Sequence, residues 1–164
     1  MRLGKMLPAL VLALVIPVAA QAAEGAVVGG FGPRVGFSSN PDQLVLGGQA
    51  LIGGIAPDVT FDPNIELGVG DNVTTVQFNF DFKYHLLLQG TPWRPYMGAG
   101  IGLAFFQIDN PAPFRDNSDT EVGGNFILGA GVPTASGSRF FAELRAGIGN
   151  LPDLKLVAGW NFKM

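Results

Sequence analysis

The chain holds one histidine, His85, and no cysteine. Serine-type acyl hydrolysis or transfer needs a hydroxyl nucleophile, an imidazole base and an orienting acid in mutual hydrogen-bond reach. His85 is therefore the one base open to Ser38, Ser39, Ser118, Ser136 or Ser138. Without cysteine there is no disulfide framework and no thiolate metal site, and one histidine excludes a multi-histidine centre. The run from Asp109 to Thr120 carries Asp109, Asn110, Asp116, Asn117 and Asp119, with Glu121 just beyond. Its oxygens suit a divalent cation but lack the fixed spacing of a calcium loop. The plainer reading is a solvated acidic loop, in which Phe114 and Arg115 fit surface recognition equally well. Gly98, Gly100 and Gly102 do not form a nucleotide loop, because they sit inside a strand rather than between a strand and a helix. No cofactor is expected.

The elements that must position these residues show as two-residue alternation. Val76, Phe78, Phe80, Phe82 and Tyr84 share one parity, and Gln77, Asn79, Asp81, Lys83 and His85 the other. A helix would mix the two sets. Before it, Val59, Phe61, Ile65, Leu67 and Val69 alternate with Thr60, Asp62, Asn64, Glu66 and Gly68, and Gly70-Asp71-Asn72 supplies the turn of a hairpin. Phe140 to Ile148 and Leu154 to Phe162 alternate likewise about a turn at Asn150, Pro152 and Asp153. Tyr96 to Phe106 and Val122 to Val132 read as strands in which glycine replaces much of the polar set. Val27 to Phe37, with Arg34 inward, and Leu44 to Ile55, with Gln43 and Gln49, bring the count to eight.

Eight amphipathic strands of about ten residues, joined by short turns, match an all-β, eight-stranded, antiparallel up-and-down transmembrane barrel. A soluble sandwich or lipocalin-like barrel would place the apolar parity inside instead, and periodicity alone does not say which face is inside. Three features favour the membrane. Glycine on the polar parity would make a poor soluble surface but fits a crowded eight-stranded lumen. The charges on that parity have both signs, Arg34, Lys83, Arg145 and Lys155 against Asp62, Glu66, Asp81, Glu121 and Glu143, and can neutralise one another. With the amino end in the periplasm, Tyr84, Trp93, Tyr96 and Trp160 all fall near the periplasmic strand ends, as an interfacial aromatic girdle requires.

The amino end points to the same compartment. Arg2 and Lys5 precede an apolar run from Leu7 to Val18 and the small-x-small triplet Ala20-Gln21-Ala22. This is the pattern of a signal peptide over residues 1–22, cleaved after Ala22, with the barrel domain over residues 23–164. The apolar run is short of the roughly 20 residues that span a bilayer as a helix. Removing that segment leaves eight basic against thirteen acidic residues, so no basic stripe remains for a nucleic acid. The 48% hydrophobic and 14% charged composition excludes disorder despite 24 glycines and 12 prolines.

The run Arg94-Pro95-Tyr96-Met97-Gly98-Ala99-Gly100-Ile101-Gly102-Leu103, after the strand ending Lys83-Tyr84, resembles the central hairpin of the small outer-membrane barrels of the OmpA and opacity type. The segments from Asn125 to Val132 and from Phe141 to Arg145 follow in that family's order. The resemblance implies both chain ends in the periplasm and insertion by the barrel-assembly machinery through the last strand, with Trp160 and Phe162 as the insertion signal. The ending Trp160-Asn161-Phe162-Lys163-Met164 displaces the usual terminal aromatic by two residues and keeps its parity. The peptidoglycan-binding role that OmpA-type proteins often carry after the barrel is not carried over. The expected lumen network is Arg34, Glu66, Asp81, Lys83, Glu143 and Arg145, and the expected surroundings are outer-membrane lipids and lipopolysaccharide. A structural or surface-interaction role, with a surface ligand the sequence does not name, is preferred. The alternatives are a lipid A modifying enzyme, disfavoured because His85 lies across the bilayer from Ser38, Ser39 and Ser118, and a narrow channel, disfavoured because eight strands leave a lumen that side chains fill.

Overall fold

A computed structural model describes residues 26–70, 72–108 and 118–164. The segment expected to be a signal peptide, Asp71 and most of the acidic loop, including Phe114 and Arg115, lie outside the described residues. The strands are β1 (Val27–Ser39), β2 (Gln43–Ala56), β3 (Val59–Gly70), β4 (Val73–His85), β5 (Arg94–Ile108), β6 (Ser118–Pro133), β7 (Arg139–Gly149) and β8 (Leu154–Lys163). Each pairs antiparallel with the next, and β8 returns to β1, so the sheet closes as a barrel in sequence order. Closure leaves no unpaired edge. All eight strands expected from the alternation are present, and most of their ends run one to four residues beyond the expected bounds.

Turn chemistry is local. Asn72, after β3, and Asp58, between β2 and β3, take positive φ values of 65° and 58°, which short polar side chains tolerate. The β4–β5 connection is longer, eight residues, and runs through Leu86, Leu87 and Leu88 to Trp93. It lies at the same end of the barrel as Val27 and Lys163, the terminus end hereafter.

The burial pattern is inverted relative to a soluble fold. Among the described residues eighteen polar or charged side chains are buried against nine apolar ones. The outward parity carries an apolar band that includes Phe37, Leu46, Phe82, Ile101, Phe126, Leu144 and Leu156, all exposed. Ile52 and Phe78 are covered although they share that parity, Phe78 where its ring meets Phe105 edge-on at 6.2 Å between centroids. Four inward apolar side chains, Val45, Ile127, Phe141 and Val157, fill space between the charged groups.

A candidate functional site: the ion network in the lumen

Side chains from all eight strands meet inside the barrel because strict alternation aims every second residue inward. Arg34 on β1 approaches Glu66 on β3 at 3.0 Å through Nε, donates to Gln49 on β2 at 2.7 Å and faces Glu143 on β7 at 3.2 Å. The Nε approach is an ion pair misaligned for a hydrogen bond. Lys155 on β8 pairs with the other oxygen of Glu66 at 2.6 Å and also donates to Gln77. Arg145 on β7, opposite Lys155 in the ladder, grips Asp81 on β4 with two nitrogens, Nη1 to Oδ2 at 2.8 Å and Nη2 to Oδ1 at 3.0 Å, the bidentate fit that suits guanidinium to carboxylate. Lys83 pairs with Asp62 at 3.0 Å and with Glu143.

Glu143 is the hub. Its Oε1 accepts from Lys83 and from the Tyr96 hydroxyl, the latter at 3.0 Å, while its Oε2 faces Arg34 and Arg145. The amides extend the network: Asn64 donates to Asp81, Asn79 donates to Asn64, and Asn79 Oδ1 accepts from both Gln77 and Asn125. Four cations, Arg34, Lys83, Arg145 and Lys155, thus face four carboxylates, Asp62, Glu66, Asp81 and Glu143, all at most 4% exposed. Charge balance matters here, because an unpaired ion out of water costs several kcal/mol, on the order of the whole stability of a domain. Asp62 Oδ1 and Arg145 Nε remain without hydrogen-bond partners.

The six residues expected in the lumen, Arg34, Glu66, Asp81, Lys83, Glu143 and Arg145, are brought together here. The set omitted Asp62, Lys155 and the amides Gln49, Asn64, Gln77, Asn79, Asn125 and Asn161, all buried on the same parity. Glu121 shares that parity and sits at the opposite rim, where it accepts from Asn150.

One girdle assignment is corrected. Tyr96 does not face outward: it is 5% exposed, bonded to Glu143, with its ring 5.3 Å from the Lys83 ammonium. Its cross-strand partner is Gly129, whose bare backbone leaves the space that the ring fills. Phe141 packs over Gly159 in the same way. Inward glycines therefore make room for inward rings, a cross-strand pairing that sheets use elsewhere. Tyr84 and Trp93 are about half exposed at the terminus end, and Trp160 is half-buried there beside Phe140, 6.3 Å between ring centroids. Tyr96→Phe should lower stability by about 1–2 kcal/mol through loss of a buried bond to a carboxylate. The check is a denaturant midpoint in detergent micelles; an unchanged midpoint would return Tyr96 to the girdle.

His85 stands at the rim of the lumen, with Nε2 3.0 Å from the Thr60 hydroxyl and its ring 5.2 Å from that of Tyr96. The described serines bond elsewhere where they bond at all: Ser38 to the Pro41 carbonyl, Ser39 to that of Leu154 and Ser136 to Ser138. At the far end Leu151, a turn residue, folds back over Gly102 and Gly123 and is 4% exposed, so an apolar side chain caps the lumen there.

A closed eight-stranded barrel with an apolar outside and an ion-paired inside is the architecture of the small transmembrane barrels. Comparison with solved structures agrees: the chain is similar to Neisserial surface protein A, with a TM-score of 0.58 and 17% identity over 85% of this chain and 97% of that one. It is likewise similar to the N-terminal β-barrel domain of OprF from Pseudomonas aeruginosa, with a TM-score of 0.57 and 22% identity over 84% and 98% of the two chains. At these identities the likeness is one of fold. No protein-family profile and no curated protein sequence matches the chain.

Proposed function

We propose that this chain is an exported, integral outer-membrane barrel with a structural or surface-interaction role, its lumen closed by its own side chains. The inverted burial carries the reading. A soluble monomer rarely shows an apolar patch beyond a few hundred Å², whereas here an apolar band girdles the wall and the ions are inside. Arg34, Lys83 and Arg145 are out of reach of solvent, which argues for a plug rather than an open pore. In this reading the terminus end faces the periplasm, lipid and lipopolysaccharide surround the wall, and the barrel-assembly machinery inserts it.

Ile101 supplies the test. It lies mid-strand on β5, 63% exposed, between Phe80 and Gly124 on the neighbouring strands. Ile101→Arg should cost about 2–4 kcal/mol if that position sits near the bilayer midplane. A surface substitution on a soluble barrel stays within about 0.5 kcal/mol. The measurement is refolding into phospholipid vesicles, followed by heat-modifiable migration. Equal vesicle insertion of variant and parent, with both chains folded in plain buffer, would sink the membrane reading.

The reading gives His85 no catalytic part, supported by its bond to Thr60 and by the bonds of Ser38, Ser39 and Ser136 to other groups. His85→Ala should leave any lipid A modification attributable to the protein unchanged. Loss of a measured deacylase activity in a variant that still folds would establish the enzyme alternative.

A further inference from the structure

The charged side chains outside the lumen network sort by end. The described residues hold seven cations, four of them buried in that network, and the other three, Arg94, Arg139 and Lys163, all stand at the terminus end. Asp42, Asp119, Glu121 and Asp153 stand at the far end, which carries no cation outside the network among the described residues. At the terminus end the acidic side chain outside the network is Asp58, exposed in the β2–β3 turn. None of the three cations has a carboxylate within 4 Å among the described residues, although every cation of the network has one.

The three share the inward parity. Arg94 is two residues before Tyr96 on β5, Arg139 two before Phe141 on β7, and Lys163 two after Asn161 on β8, and those three neighbours are buried in the lumen. The cations therefore line one side of the lumen mouth, over β5 to β8. Two glycines make room for them. Gly131 on β6 pairs with Arg94 on one side and with Phe141 on the other, and the half-buried Arg139 side chain crosses its bare backbone, with Cδ 2.8 Å from where a Cβ would stand. Gly137, in the turn before β7, carries the Lys163 chain in the same manner, with Cδ at 3.0 Å. Beyond its partial burial, the strongest influence on the Arg139 charge is Arg94, ahead of Asp62. Like charges gathered on one face repel unless an anion joins them.

The depth of such an anion is set by what lies beneath. A recess of about 10 Å³, bordered by Asp62, Lys83, His85, Tyr96, Arg139 and Phe141, has room for one water. The anion must rest on the mouth rather than inside the lumen. Asp62 borders the recess, but Lys83 engages it at 3.0 Å, and the network below is balanced at four charges of each sign. Arg94, Arg139 and Lys163 are the surplus.

We propose that the terminus-end mouth binds one water-soluble phosphate group, as inorganic phosphate or a phosphate monoester, with Arg139 gripping it and Arg94 and Lys163 closing on it. A carboxylate offers one charge and two oxygens to three cations, whereas a phosphate monoester carries a charge of about −1.5 to −2 at neutral pH and three acceptor oxygens, which guanidinium forks match. The inward parity also fixes the source. The cradle opens into the mouth, on the opposite face of the sheet from the apolar wall, so a headgroup of the surrounding lipid does not face it. The site depends on the closed barrel and not on the membrane; in the membrane reading it faces the periplasm.

Isothermal titration calorimetry of inorganic phosphate into the protein, in a neutral detergent free of phospholipid, tests the site. Heat-modifiable migration confirms that each chain titrated is a closed barrel. The parent should bind one phosphate per chain. Arg139→Gln should weaken binding about tenfold, the scale of one lost charge-assisted contact, and Arg94→Gln and Lys163→Gln should each weaken it in the same direction. Asp153→Asn changes the net charge by one unit at the far end and should titrate like the parent, which separates a site from overall charge.

A heat-modifiable parent that takes up no phosphate overturns the site and leaves the membrane reading standing. Equal affinity in the parent and in the triple variant Arg94→Gln, Arg139→Gln, Lys163→Gln overturns it as well. Phosphatidylglycerol added to the micelle should leave the phosphate affinity unchanged. Competition by that lipid would put a headgroup at the mouth in place of a soluble phosphate and overturn the assignment.

Discussion

Glu143→Ala is expected to destabilise the barrel by about 3–5 kcal/mol, the range for removing one partner from a buried ion pair. Glu143 is 1% exposed and contacts three cations and the Tyr96 hydroxyl. Its loss leaves Arg34 with Glu66, Arg145 with Asp81 and Lys83 with Asp62, so no cation is wholly orphaned, but the dry lumen changes from four charges of each sign to an excess of one positive. That excess, rather than any single bond, sets the size of the effect. Glu143→Gln keeps the shape and an acceptor while creating the same excess charge, and should lie close to the alanine variant. Asp153→Ala is the control: Asp153 is exposed and, among the side chains of the described residues, accepts from Asn40 alone, so its loss should stay within about 0.5 kcal/mol. Urea titration in micelles, read by heat-modifiable migration, gives all three values. A Glu143→Ala midpoint equal to that of Asp153→Ala would show that the lumen charges are not stabilised by one another.

Legibility in the sequence follows how strictly each strand alternates. In β4 the aromatic parity and the polar parity are unmixed from Val76 to His85, so the strand and its inward residues Asp81 and Lys83 can both be read. In β5 glycine occupies three consecutive inward positions, Gly98, Gly100 and Gly102, so the polar parity is faint, and Tyr96 reads as a girdle residue from its nearness to a strand end rather than from its parity. The parity signal was available: Tyr96 is two residues from Gly98 and opposite His85. The amides Gln77, Asn79 and Asn125 could have been added by the same rule, since they share the inward face with the charges. The choice of partners could not. Lys155 on β8 reaches Glu66 on β3, strands not adjacent in the sheet, and which side chains meet across the lumen depends on the stagger of the closed barrel, which no single strand encodes. Leu151 was illegible for a related reason, because a turn residue has no parity to read.

Phe162→Asp tests closure and assembly together, at the seam where the last strand meets the first. Phe162 lies opposite Phe31, with ring centroids 6.1 Å apart, and is 46% exposed on the apolar face. The β1–β8 register skips Gly32 and Pro33, and a proline offers no N–H to the ladder, so the seam leans on its flanking pairs. An aspartate near the membrane interface costs little by itself, and the lost aromatic pair is worth about 0.5–1.5 kcal/mol. The purified variant should therefore still close in detergent, with a modestly lower midpoint. In cells the expectation differs: if the machinery that inserts the barrel recognises the apolar parity of β8, the variant should fall severalfold in the outer membrane and collect as unfolded chain. Lys163→Glu, which alters charge at the same rim without touching the apolar parity, should accumulate normally. Equal loss in detergent and in cells would place the defect in the seam rather than in recognition, and accumulation of Phe162→Asp at the parent level would remove Phe162 from the insertion signal.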